Sequence, residues 1–121
     1  MSIQIKRIYD PALPDDGARV LVDRLWPRGV SKERAALTEW LKDVAPSTEL
    51  RVTFGHMADR FPAFAQAYRT ELATQPEKQR AVQHLLDMSR MGTVPLLYGA
   101  RDPKVNHALV LQAYLQEQPA P

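Results

Sequence analysis

The sequence predicts a small α/β protein, a mostly parallel sheet covered by helices in a single compact domain. Three observations carry that expectation. Ile3-Gln4-Ile5-Lys6-Arg7-Ile8-Tyr9 alternates apolar and polar side chains with a period of two, as a strand with one wet face does. Arg19-Val20-Leu21-Val22 is apolar as a strand buried on both faces of a parallel sheet is, and Thr93-Val94-Pro95-Leu96-Leu97-Tyr98 is a short apolar run with Pro near its beginning, which a strand end allows. Between these two runs lies a long stretch of helical periodicity, enough for the crossover that parallel strands require. A chain of 121 residues, 45% hydrophobic and 25% charged, suits one ordinary globular domain.

Each element follows from local signals. Asp10-Pro11 through Pro14-Asp15-Asp16-Gly17 is dense in turn formers and forms a loop. The second strand runs from Arg19 towards Trp26 until Pro27-Arg28-Gly29 stops it. Ser31 then caps a helical stretch in which Leu37, Trp40, Leu41 and Val44 fall at i, i+3, i+4 and i+7. Pro46 ends that stretch, and Ser47-Thr48-Glu49 opens a short helix reaching about Phe54. After Gly55-His56, the stripe Phe61, Phe64, Ala65, Tyr68 and Leu72 marks a further helix, with Pro62 in its first turn. Pro76 opens the next, with Val82, Leu85, Leu86 and Ser89 on one side and an end near Gly92. Beyond the third strand, Asp102 is expected to cap a final helix from Pro103 to about Gln116, leaving residues 117–121 to fray. No repeat or linker divides the chain, and local patterns do not specify the sheet order.

Composition excludes several chemistries. There is no Cys, so this chain has no disulfide, thiolate metal site or thiol nucleophile. His56, His84 and His107 lack metal-ligand spacing, so no metal site is expected, and no phosphate-binding glycine loop is present. No run of eighteen apolar residues and no apolar leader core occurs, so the expected setting is the cytoplasm, without a membrane span. Sixteen Lys+Arg against fourteen Asp+Glu leave a net charge of +2, with the basic residues scattered. Nucleic-acid binding is therefore open but not favoured.

Ligands of open parallel sheets bind beyond the carboxyl ends of the strands. Two such ends carry polar residues, Asp23-Arg24-Leu25-Trp26-Pro27-Arg28-Gly29 and Tyr98-Gly99-Ala100-Arg101-Asp102. Neighbouring parallel strands would bring Asp23, Arg24, Arg28, Tyr98 and Arg101 towards Asn106 and His107. Arg24 and Arg28 suit bidentate capture of an anion, although surface ion pairing explains them almost as well. Asp23 interrupts an apolar run and must be paired; acid–base work and holding of loop N–H groups are both open to it. His107 is the best candidate for proton transfer, with a packed, hydrogen-bonded histidine as the equal alternative. Asp102 reads as a cap, Tyr98 as a core phenol with a wet tip, and His56 as an exposed residue or a site member. His84, Trp26 and Trp40 read as structural.

These residues also carry a resemblance. Arg7-Ile8-Tyr9-Asp10, Val22-Asp23-Arg24-Leu25-Trp26-Pro27-Arg28-Gly29, Ala45-Pro46-Ser47-Thr48-Glu49-Leu50-Arg51 and Leu96-Leu97-Tyr98 with Asn106-His107-Ala108 resemble the family called domain of unknown function 488, in its short YeaO-like branch. The resemblance covers nearly the whole chain, and the block from Asp23 to Gly29 is its most specific part. It implies a small α/β domain of bacterial or archaeal type and brings no established activity or cofactor. Its signature places Ser47, Arg51, Phe54 and His56 beside the residues above. Met57-Ala58 stand where members commonly carry Asp-Pro, and Thr53 where many carry Trp. Longer relatives look to have Cys-His-Arg near Asn106-His107, which would leave this branch without a thiol. Some members bear a transcription-regulator label, but no helix-turn-helix with a basic recognition face is evident here.

The leading expectation is a polar pocket for a small anionic, nucleotide-like ligand. Arg24, Arg28 and Arg51 would supply charge, and Asp23 and His107 proton transfer. His56, Tyr98, Arg101 and Asn106 would supply further contacts. Catalysis is undecided because no nucleophile can be named, and the sequence specifies neither a cofactor nor an oligomeric state. The alternatives are a nucleic-acid-binding or regulatory module, and a protein-interaction module.

Overall fold

The computed structural model describes residues 2–119. Its strands are β1 (Ile3–Arg7), β2 (Val20–Leu21), β3 (Glu39–Trp40) and β4 (Val94–Tyr98). Its helices are α1 (Lys32–Ala35), α2 (Thr48–Phe54), α3 (Phe61–Thr74), α4 (Pro76–Met91) and α5 (His107–Gln116). The sheet runs β1-β4-β2-β3 with every pairing parallel. The small parallel sheet under helices is the architecture the sequence predicts.

β4 lies inside the sheet, so all five of its residues are buried. Its alternate side chains enter two separate cores. Val94, Leu96 and Tyr98 join Ile3, Val20, Val22 and the apolar stripes of α3, α4 and α5. On the other face Leu97 meets Ile8, Leu21, Val30 and Ala35, with Trp26, Leu37 and Trp40 packed against them. Trp26 and Trp40 meet edge to face, their ring centroids 5.3 Å apart.

The helix expected over residues 31–44 is not formed as one element. Ser31 does cap a helix, accepting the Arg34 N–H, but α1 ends after Ala35 and the chain becomes β3 beside β2. Leu37 and Trp40 join the minor core, whereas Leu41 and Val44 pack into the main one. Successive strand residues point to opposite faces, so a segment serving both cores reproduces helical spacing by coincidence. β2 itself is shorter than expected, although the Val22 N–H, donating to the Leu97 carbonyl, and the Arg19 carbonyl, accepting the Thr38 and Glu39 N–H groups, extend its pairing.

The final helix also begins later than predicted. Asn106 is its N-cap, accepting the Leu109 N–H at 2.8 Å, while Asp102 closes only a turn with the Lys104 N–H. Of the tail expected to fray, Glu117 is bound by both terminal nitrogens of Arg69; residues 120 and 121 lie outside the described residues. Gly17 makes the loop before β2 possible. Its φ is +88°, and a Cβ there would stand 2.2 Å from the Thr93 carbonyl oxygen.

Candidate functional site

A cavity of about 260 Å³ opens beyond the carboxyl ends of β2 and β4. Its polar lining is Tyr9, Asp23, Arg24, Arg51, His56 and His107. Its apolar walls come from Leu25, Trp26, Pro27, Pro46, Phe54 and Phe64. Phe54 and Phe64 stack with centroids 4.3 Å apart, which ties α2 to α3 behind the cavity.

Asp23 joins the two strand ends. Its Oδ2 accepts the Gly99 N–H at 2.9 Å, and its backbone carbonyl accepts the Trp40 indole N–H at 2.7 Å. A side chain at position 99 would crowd that carboxylate, since a Cβ would lie 3.0 Å from Oδ2. His107, in the first turn of α5, directs Nε2 towards the Val22 carbonyl at 3.0 Å and Asp23 Oδ1 at 3.2 Å. With hydrogen on Nε2 the imidazole donates to the Val22 carbonyl, while Asp23 Oδ1, though close by, is buried without a hydrogen-bond partner among the described residues. The hydrogen-bonded packing anticipated for His107 is therefore present, with the Val22 carbonyl as its partner. Burial pushes the Asp23 carboxyl above its usual range, opposed by His107, the Gly99 N–H and His56. Burial likewise pushes His107 below its usual value, opposed by Asp23 and the Val22 carbonyl and reinforced by His56.

The opposite wall is the segment 43–47, and side chains hold its backbone at successive points. Tyr68, fully buried in α3, donates its hydroxyl to the Val44 carbonyl. Arg24 Nε donates to the Pro46 carbonyl at 3.1 Å. Glu71 receives both the N–H and the hydroxyl of Ser47, at 2.9 and 2.6 Å. The Ser47 hydroxyl oxygen in turn accepts the Leu50 N–H and caps α2, which carries Arg51 and Phe54 to the cavity. Lys78 is almost entirely buried beneath this segment, and burial lowers its ammonium's affinity for a proton. Arg51 Nε is buried with no hydrogen-bond partner among the described residues.

The sequence candidates separate in three dimensions. Asp23, Arg24, Arg51, His56 and His107 line one cavity, and Arg101 lines a second hollow beside it. Arg28 is exposed outside both, its carbonyl accepting the Tyr9 hydroxyl, because the Trp-Pro turn directs it away from the strand ends. Tyr98 is 2% exposed and belongs to the main core, since the alternation of β4 aims it at the helices. Asn106 is buried as the α5 cap rather than presented to the cavity. His84 pairs with Glu39 across the surface at 2.7 Å. Sequence reasoning gave no cavity position to Tyr9, Leu25, Pro46 or Phe64. The helical stripe does single out Phe64, but only as a core residue.

Among the described residues no group of three or more His, Asp or Glu is placed to hold a metal ion, and no helix is long and apolar enough to cross a membrane. The cavity lining contains no Ser, Thr or Lys side chain. An Asp–His pair is present, and the hydroxyl in the lining, that of Tyr9, donates to the Arg28 carbonyl.

A parallel α/β sheet with an Asp–His pair joining two strand ends defines the class of fold, and sequence comparison supplies the family. Residues 2–120 match the family model described as "Inactive DUF488-N3 subclade", and the chain belongs to that family. It is 46% identical over 117 residues to the uncharacterized protein YeaO of Escherichia coli, covering 96% of this chain and 98% of YeaO. It is 38% identical over 113 residues to the uncharacterized protein Rv3073c of Mycobacterium tuberculosis, covering 93% and 92% of the two chains. No solved structure matches significantly.

Proposed function

We propose that this protein binds a small anionic ligand with a planar or apolar body, of nucleotide-like class, and that it binds rather than transforms it. The observation that carries the reading is the cavity's charge. Two guanidinium groups, of Arg24 and Arg51, line the cavity against a single carboxylate, whose Oδ2 already accepts the Gly99 N–H. Arg51 Nε has no internal acceptor, and a buried guanidinium N–H without one costs free energy that an anion would offset. The aromatic and proline walls suit a flat body. Asp23 and His107 act here as a positioning pair holding the strand ends together. The Tyr9 hydroxyl in the lining is engaged by the Arg28 carbonyl, which favours binding over catalysis, in keeping with the family's description as inactive. The proposal includes a cytoplasmic setting and a single folding unit.

Thermal unfolding with nucleotides, sugar phosphates, carboxylates and a short oligonucleotide tests this, on wild type beside Arg51→Ala. The expected result is a rise in Tm with a nucleotide or another phosphorylated small molecule, lost in the variant. A response to the oligonucleotide alone, weakening steeply with salt, would transfer the function to nucleic-acid binding. No response to any anion, or an equal one in Arg51→Ala, would refute the pocket reading.

A further inference from the structure

The cavity does not end at His56. Beside that imidazole lies a second hollow of about 420 Å³, and the two share His56, Gly99 and Ala100 in their walls. Sites for ligands of cofactor or drug size span roughly 300–1,000 Å³. The inner chamber, at about 260 Å³, is below that range by itself, whereas the two together fall within it. A nucleotide-sized molecule held on Arg24 and Arg51 therefore has room to extend past His56 into the second hollow.

The outer chamber is suited to a second negative group. Arg101 and Asp102 both line it; Asp102 Oδ1 is held within its own turn by the Lys104 N–H at 2.8 Å, and Arg101 is the guanidinium in the wall. Arg101 is exposed. The amino end of the ten-residue α5 follows at His107, and its dipole adds positive potential on this side. His56 divides the chambers in an uncommon backbone conformation, φ +58°, directly after Gly55 at φ +55°.

Resting on the reading of the inner chamber as an anion pocket, we propose that the ligand is elongated and doubly anionic. One anionic group sits against Arg24 and Arg51 and the other against Arg101, with His56 alongside the body between them. Nucleoside bisphosphates have this chemistry, and Arg101 selects them over monophosphates.

Isothermal titration tests this with the 5′-monophosphates and 3′,5′-bisphosphates of adenosine and guanosine, on wild type, Arg51→Ala and Arg101→Ala. Wild type is expected to bind a bisphosphate about tenfold or more tighter than its monophosphate, the worth of one added charge-assisted contact. Arg101→Ala should erase that difference and leave monophosphate affinity in place, while Arg51→Ala should weaken both. Equal affinities in wild type, or a bisphosphate advantage that survives Arg101→Ala, would overturn the two-chamber proposal and leave the inner pocket standing. Failure of all four compounds to bind would overturn the two-chamber proposal, and the pocket reading falls with it only where sugar phosphates and carboxylates also leave Tm unchanged.

Discussion

Asp23 and His107 couple protonation to folding because each is mostly shielded from water and they lie 3.2 Å apart. With the folded His107 pKa lowered, the unfolded chain takes up a proton near the ordinary value of 6.5 that the folded chain resists. Its contribution to stability is thus present above that pH and lost as pH falls through it. Asp23 acts oppositely in a lower window: its raised pKa lets the folded form take a proton first, so acidification towards 3.8 relieves its burial. Urea unfolding of wild type is expected to show stability falling from pH 7.5 to 5.5, by at most about 1.4 kcal/mol per pH unit for this one proton. His107→Gln should flatten that slope, and an unchanged slope would show that His107 titrates alike in both states. Gly17 provides a test of backbone constraint. Ala there meets both a positive φ and the Thr93 carbonyl, so Gly17→Ala should cost more than about 1 kcal/mol, read as a drop in Tm.

At the scale of elements, the start of α5 is the most consequential boundary, because it places His107 at the strand ends. Asn106 caps the helix with its Oδ1 and donates Nδ2 to the Asp102 carbonyl, whereas the Asp102 side chain closes only an exposed turn. Asn106→Ala should therefore cost about 1–2 kcal/mol. Asp102→Ala should stay within about 0.5 kcal/mol, as exposed substitutions usually do. Denaturation midpoints of the two variants decide this, and the reverse order would return the cap to Asp102. The cavity wall obeys the same logic. Segment 43–47 has little regular structure of its own and is held by hydrogen bonds from Arg24, Tyr68 and Glu71. Tyr68→Phe would leave a buried carbonyl without its donor, and about 1–3 kcal/mol should be lost.

For the molecule as a whole, the accessible surface of 6905 Å² is close to the roughly 6,600 Å² expected for a folded chain of this mass. Both cores share the central strand β4, so neither can form fully without the other. A single cooperative unfolding transition is expected, with tryptophan fluorescence and far-ultraviolet circular dichroism giving coincident curves. Separate transitions would mean that the minor core around Trp26 and Trp40 melts independently.

What the chain encodes locally was legible without tertiary information. The alternation of Ile3 to Tyr9, the apolar run at β4, the stripes of α3 and α4 and the Ser47 cap depend on neighbours a few residues away. The period of 2 or 3.6 therefore identifies them. The polar residues at the two strand ends were visible for the same reason. β3 was hidden because Leu37 and Trp40 pack on one core and Leu41 and Val44 on the other, a division that exists only once the sheet has formed. The sheet order, the joining of Asp23 to Gly99 and the arrival of Arg51 beside Arg24 link positions far apart in sequence. Arg28 and Tyr98 were misplaced by the same blindness: a strand end shows that a residue is near the edge, but not which way its side chain turns. Local patterns thus determined which segments fold into which elements. Only packing of distant segments around shared cores decided which side chains face one another across the cavity.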